Sequence, residues 1–317
     1  MGADASNDRA LKTLYTVKGR PSAHPVIVHL ASVEQMTDWS IDLSDQAKKL
    51  AKHFWPGPLT LIVKKSPQVS YLVTGGQDTV GLRVPNHPIA LALLNTFGGG
   101  IAAPSANKYG RISSTCAQHV RDEFGNEIKL VLDGGNCSVG IESTIVDTTS
   151  AIPRILRPGM ISESEIFKYL GITNTADINN QQNIRVPGSD KTHYAPKTPM
   201  LLLDKDALSL TLARAAPDML FAILAFNKFD LKINHRTKNM LRQFIEAPSD
   251  PKLYAHTLYE NLRQLDNSGA THILIEQVPT SYQWSAMADR LKRASYQITN
   301  SALSFNDLHP NESQSCH

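Results

Sequence analysis

The residues best equipped for chemistry lie in turns rather than in regular elements. The stretch Ala103 to Thr115, "APSANKYGRISST", follows a short apolar run and gathers hydroxyls, an amide, a glycine and two cations. Ser105 and Asn107 have short polar side chains that hydrogen-bond a ligand while permitting tight turns. Gly110 permits close backbone approach, and Thr115 stands where a helix would begin with its amides facing an anion. In "KGRP", Lys18 and Arg20 are two residues apart, so an extended turn would bring both cations onto one polyphosphate. At about 4 Å and an effective dielectric of 20, one such contact gains roughly 4 kcal/mol before desolvation. Ser143, after Glu142 in "GIESTIVD", and Arg157 in "ILRPG" supply further polar turns. Any one of these turns is compatible with simple solvation; together they describe a polar cleft of nucleotide size.

The strands that would carry these turns show a strict parity. In "VIVHL", Val26, Val28 and Leu30 share one face and Ile27 and His29 the other, because successive side chains alternate. In "TVGLRV", Val80, Leu82 and Val84 form an apolar row opposite Thr79, Gly81 and Arg83. Each strand thus buries one row and offers a polar one, to solvent or to a ligand.

Several classes are excluded. No GxxxxGK[ST] loop is present, "FGGGIAA" is not a dinucleotide-binding GxGxxG, and no GxSxG elbow occurs. His24 and His29 have no carboxylate spaced to complete a metal site. Cys116, Cys137 and Cys316 form no CxxC pair and read as unpaired thiols. The net charge of +3 offers no basic arm for polyanions. No apolar run approaches a membrane span and no secretory leader precedes the first amphipathic segment, so the expected compartment is the cytoplasm.

At 317 residues the chain accommodates two domains. Asn7 or Ser6 caps a first helix that Gly19 and Pro21 stop; a strand at Pro25 to Ala31, a helix from Ser44 through Lys52 and a strand at Leu59 to Lys64 follow. Further strands are expected at Thr79 to Val84, Gly100 to Ala103, Leu130 to Asp133, Thr144 to Asp147 and Arg154 to Leu156. Helices are expected at Pro88 to Phe97, Thr115 to Phe124 and Ser164 to Leu170. Residues 1–170 read as a mixed α/β domain and 171–199 as a polar, proline-bearing linker. Residues 200–305 read as a smaller open α/β sheet, with strands in "MLLLD", "MLFAILAF" and "THILIEQV" and helices at Asp206 to Ala215, Lys252 to Leu265 and Gln283 to Ala294. Residues 306–317 read as a disordered tail.

Taken in order, "GADASND", "KGRP…PVIVH", "FWPGPLTLIV", "TVGLRVPNHP", "APSAN", "DGG…GIESTIVD", "LRPG" and "HYAPKTP" resemble the threonylcarbamoyl-AMP synthase family in its long, two-domain form. The resemblance implies a YrdC-like twisted mixed sheet followed by a Rossmann-like open α/β domain. It also implies formation of L-threonylcarbamoyladenylate and pyrophosphate from L-threonine, bicarbonate or CO2, and ATP, for t6A modification of tRNA. Carried over by position, Arg20, His24, Thr79, Asn107, Thr115 and Arg157 would contact ATP, with Lys18 beside its phosphates and Tyr194 folding over the nucleotide. Lys18 and Arg20 would be the catalytic cations. His29, Arg83, Ser105 and Ser143 would hold threonine. Mg²⁺ would arrive on ATP rather than on protein ligands, and a tRNA threonylcarbamoyltransferase would consume the product.

The family pattern begins with a further strand and a "PTETVYGLG" segment ahead of Gly2. The resemblance therefore implies a truncated start and an unpaired sheet edge. His24 stands where asparagine is usual and Tyr109 where serine is usual. The competing readings are a non-catalytic RNA-binding module and a degenerate paralogue that binds ATP without turnover.

Overall fold

The computed structural model describes residues 1–173, 184–228, 231 and 235–300, and divides into two compact units. The first comprises Met1–Tyr109, Cys116–Asn136 and Ile141–Ser189; the second comprises Gly110–Thr115, Cys137–Gly140 and Asp190–His317.

The first unit is built on a seven-stranded mixed sheet. In chain order its elements are β1 (Ala3–Asp4), α1 (Asp8–Lys18), β2 (Ile27–His29), α2 (Met36–Trp39), α3 (Asp45–Phe54), β3 (Leu59–Lys64), α4 (Tyr71–Thr74) and β4 (Thr79–Arg83). There follow α5 (Pro88–Phe97), β5 (Ile101–Ala102), α6 (Ala117–Phe124), β6 (Thr144–Asp147), β7 (Arg154–Arg157) and α7 (Glu163–Leu170). The strand order is β1-β5-β2-β4-β3-β6-β7, with β2/β4 and β3/β6 parallel and the remaining pairs antiparallel.

Local chemistry accounts for the element ends. Asn7 accepts from the amide of Ala10 at the start of α1, Ser44 from that of Ala47 at the start of α3, and Ser162 forms a reciprocal capping box with Glu165 on α7. At the end of α1, Gly19 adopts φ 68°, a left-handed geometry that costs other residues more. The apolar rows read from the sequence all face one core: Val26, Val28, Leu30, Val80, Leu82 and Val84 join Leu11, Leu50, Leu59 and Leu61 there. This leaves the opposite face of the sheet for other work.

The expected strand at Leu130 to Asp133 does not form. Leu130, Val131 and Leu132 instead line an open groove of about 530 Å³ with Ala3, Phe97 and Ile101, and Leu130 and Leu132 remain 74% and 53% exposed. Apolar alternation makes a strand only when a neighbour completes its ladder, and among the described residues none does.

The second unit has a four-stranded, all-parallel sheet in the order β10-β9-β11-β8. Its elements are β8 (Met200–Leu203), α8 (Lys205–Arg214), β9 (Phe221–Ala225), α9 (His235–Met240), β10 (Leu241–Glu246), α10 (Pro251–Asp266), β11 (His272–Glu276) and α11 (Ser285–Asn300). Sequence pattern anticipated β8, β9 and β11 but not α9 or β10. The expected disordered tail lies outside the described residues, as does much of the expected linker, 174–183.

Candidate active site

The face of the first sheet turned away from its main core carries Ile27 and His29 on β2, Thr79, Gly81 and Arg83 on β4, Thr60 and Ile62 on β3, and Ile145 on β6. Ile27, Ile62 and Ile145 form a separate apolar cluster with Val186, Ile184 and Leu156. Residues 184–189 therefore lie over this face. Arg185 pins them there: its guanidinium donates to the Gly75 carbonyl at 2.8 Å, and its backbone amide donates to Gln77 Oε1 at 2.7 Å.

Lys18 is 1% exposed, and its ammonium donates to the carbonyls of Ser105 at 2.6 Å and Asn107 at 2.7 Å, with Asn107 Oδ1 at 3.3 Å and Ser105 Oγ at 3.5 Å. The residue is the last of a helix capped by left-handed Gly19, not part of an extended turn as the sequence suggested. Lys18 thus ties α1 to the Ser105–Asn107 loop and shapes that loop. Burial first, then the charge of Arg20, pull its pKa down to about 7, against the opposing pull of Glu123 and Glu142. Arg20, 6% exposed, folds back to donate to the Pro25 carbonyl at 2.7 Å. Asn107 is fully buried, and its amide nitrogen donates to the Lys108 carbonyl at 2.9 Å.

His24 lies in the same loop as Arg20. Its Nδ1 is 3.2 Å from the Tyr109 hydroxyl, with the two rings edge to face at 5.6 Å. Thr79 opens β4 and borders a cleft of about 730 Å³ that Lys64, Asp78, Asp147 and Ile184 also line.

His29 and Arg83 are register partners on the parallel strands β2 and β4. Arg83 donates through Nε to the Gly57 carbonyl at 2.9 Å. Burial, followed by the Arg83 charge, holds the His29 imidazole neutral, its pKa lowered to about 3. A neutral imidazole beside a guanidinium suits an amino acid, since the cation matches a carboxylate and the ring accepts or donates a hydrogen bond without adding charge.

Ser143 is 2% exposed, and its hydroxyl lies 2.7 Å from that of Thr60 and 3.1 Å from Arg157 Nη2. Arg157 also donates to the Ser143 carbonyl through Nε at 3.1 Å and Nη2 at 2.9 Å, and through Nη1 to the Pro187 carbonyl at 2.8 Å. The arginine expected to touch ATP therefore binds Ser143 and the covering segment together. Thr60 escaped the sequence reading, although the parity of "LTLIVK" places it opposite Leu59, Leu61 and Val63 and so on the polar face.

Thr115 and Tyr194 belong to the second unit. The helix expected to start at Thr115 begins at Ala117 with Cys116 as its cap, and the Thr115 carbonyl accepts from the Cys137 amide at 2.8 Å. Tyr194 has φ 64° and is 1% exposed. It stacks on Tyr259 at 5.6 Å with the Arg290 guanidinium 5.4 Å above its ring, while the Ala195 amide donates to the Gly110 carbonyl.

These features define a two-unit α/β protein whose first unit carries buried cations, hydroxyls and a neutral histidine. Comparison with known proteins makes the assignment specific. A family described as "Telomere recombination" matches residues 1–159, and "Threonylcarbamoyl-AMP synthase, C-terminal domain" matches 161–295. The chain is 35% identical over 298 residues to threonylcarbamoyl-AMP synthase of Pyrococcus abyssi, covering 93% of this chain and 87% of that protein. With the Bacillus subtilis protein of the same name it shares 34% identity over 306 residues, covering 93% and 86%. The crystal structure of P. abyssi Sua5 complexed with L-threonine superposes with a TM-score of 0.82 at 33% identity, covering 93% of this chain and 86% of that one. The chain belongs to the threonylcarbamoyl-AMP synthase family.

Proposed function

We propose that this chain is a cytoplasmic L-threonylcarbamoyladenylate synthase that binds ATP and L-threonine on the polar face of its first sheet. The observation that carries the reading is the pairing on that face of neutral His29 with Arg83, in a unit whose Lys18–Ser105–Asn107 cage adjoins Arg20. Arg83 takes the threonine carboxylate and His29 a polar group of the amino acid, with Ser143 held ready by Thr60 and Arg157. Arg20 and His24 face the triphosphate, and Lys18 keeps the Ser105–Asn107 loop in shape beneath it.

In the reaction the neutral threonine amine adds to CO2 and releases a proton to solvent, giving a carbamate. A carbamate oxygen then attacks the α-phosphorus of ATP, forming the P–O bond of threonylcarbamoyl-AMP as the bond to the leaving pyrophosphate breaks. The protein supplies no nucleophile; its contribution is placement of the two substrates and stabilisation of phosphoryl charge by fixed cations. An Mg²⁺ arriving with ATP would be ligated by its phosphates and would neutralise part of their charge. Because carbamates hydrolyse readily, residues 184–189 over the sheet face serve to keep water away. A tRNA threonylcarbamoyltransferase consumes the product.

The test is pyrophosphate release from ATP with threonine and bicarbonate present. The reading expects release that stops when threonine is omitted; ATP binding without release would assign the chain to the non-catalytic readings.

A further inference from the structure

We propose that Tyr109 is the positioning residue for His24 in nucleotide binding: its phenol hydroxyl donates to His24 Nδ1, which places the ring proton on Nε2 and makes the imidazole an N–H donor for a phosphate oxygen. The inference rests on the reading of this loop as the ATP site.

The two rings are brought together by tethers to the same helix, α1. Tyr109 is anchored through its backbone amide, which donates to the Lys18 carbonyl at 2.9 Å at the end of α1. Its neighbour Lys108 donates through Nζ to the Val17 carbonyl at 3.0 Å and is paired with Glu127 at 2.7 Å. His24 is anchored to α1 as well, and within its own loop. Its amide donates to the Pro21 carbonyl, and its own carbonyl accepts from the Tyr15 hydroxyl at 2.9 Å. Gly75, at φ 60°, passes so close to the Ala23 carbonyl that a Cβ there would sit 2.4 Å from it. The 3.2 Å contact between Tyr109 and His24 is therefore a consequence of two braced backbones, not of two loose side chains meeting.

The direction of the hydrogen bond decides the chemistry. If the imidazole proton were on Nδ1, the other ring nitrogen would offer a lone pair, which repels a phosphate. With the phenol as donor, it offers N–H instead. The same loop carries Arg20, so an anion is the ligand whose charge the loop favours.

The experiment has two arms. Nitrogen-15 NMR of the ligand-free protein reads the His24 tautomer, expected to be Nε2–H in the wild type and redistributed in Tyr109→Phe; this arm needs no turnover. Calorimetry and kinetics then read the nucleotide: Tyr109→Phe is expected to weaken ATP binding and raise KM for ATP by about five- to tenfold, the loss of one well-aligned hydrogen bond, with kcat and KM for threonine within about twofold. His24→Ala should show the same loss, and the double variant no more than His24→Ala alone. An unchanged tautomer or an unchanged ATP affinity in Tyr109→Phe, with circular dichroism confirming the fold, overturns the proposal. An Nε2–H ring in a wild type that binds no ATP would sink the nucleotide site itself while leaving the Tyr109–His24 bond established.

Discussion

The two sheets of this molecule use the same elementary rule to opposite ends. In the first unit, β2 and β4 bury one row of side chains in the main core and turn the other, with His29, Thr79 and Arg83, to the covered polar face. In the second, every residue of β9 is buried. Phe221, Ile223 and Ala225 join one cluster that includes Leu208 and Leu212 of α8, while Ala222 and Leu224 point to the opposite side. A parallel sheet covered on both faces reads as a continuous apolar run, and one with a functional face reads as alternation. Alternation in a strand enclosed by covering residues is thus the mark of a site; its absence marks a scaffold.

Four substitutions sharpen or break this contrast, taken from the largest expected effect. Ile223→Ala, at a position with no exposure in the second sheet, should cost about 2–5 kcal/mol of stability by leaving a cavity, read by denaturant unfolding. Its KM values below the transition should be those of the wild type. A change in KM for ATP or threonine would break the division between scaffold and site.

His29→Gln tests the polar face through pH. The folded protein keeps this imidazole neutral down to about pH 3, whereas the unfolded chain takes up a proton near 6.5. The unfolded state therefore binds more protons between those values. The His29 contribution to stability is intact above pH 6.5 and is lost as pH falls towards 3, on the order of a few kcal/mol. Stability of His29→Gln should vary less across that window, while threonine affinity drops.

Arg20→Ala should lower threonine-dependent pyrophosphate formation at least about tenfold, the loss of a fixed cation near the phosphates. Unchanged turnover in a folded variant would remove Arg20 from the mechanism. The smallest effect is expected for Thr60→Val, which deletes the hydroxyl partner of Ser143 at nearly constant shape. A drop of about fivefold in kcat/KM for threonine, equivalent to about 1 kcal/mol, is the expected result, with KM for ATP unaffected.

What was legible in the sequence follows the same physics. Caps at Asn7, Ser44 and Gly19, and the parity of β2 and β4, depend on neighbours a few residues away and were readable from spacing. The α9–β10 pair was not: "LRQFIE" lies at the sheet edge with mixed exposure, so neither alternation nor a continuous apolar run announces it. Leu130 to Asp133 erred the other way, because strand propensity is a property of a pair and its ladder partner cannot be read from the segment itself. Lys18 was recognised as chemically important, yet whether its ammonium faces a ligand or cages a loop depends on carbonyls 87 and 89 residues away. Thr115 and Tyr194 show a further limit, since their assignment to the second unit follows from contacts that spacing does not encode.

The central claim is tested most directly by following two labels at once, with ATP labelled at its α-phosphorus and bicarbonate labelled at carbon. The account predicts that both labels appear together in one threonine-containing product, in step with pyrophosphate and only when threonine is supplied. Label leaving ATP as ADP, or an adenylate formed without the bicarbonate carbon, would contradict it.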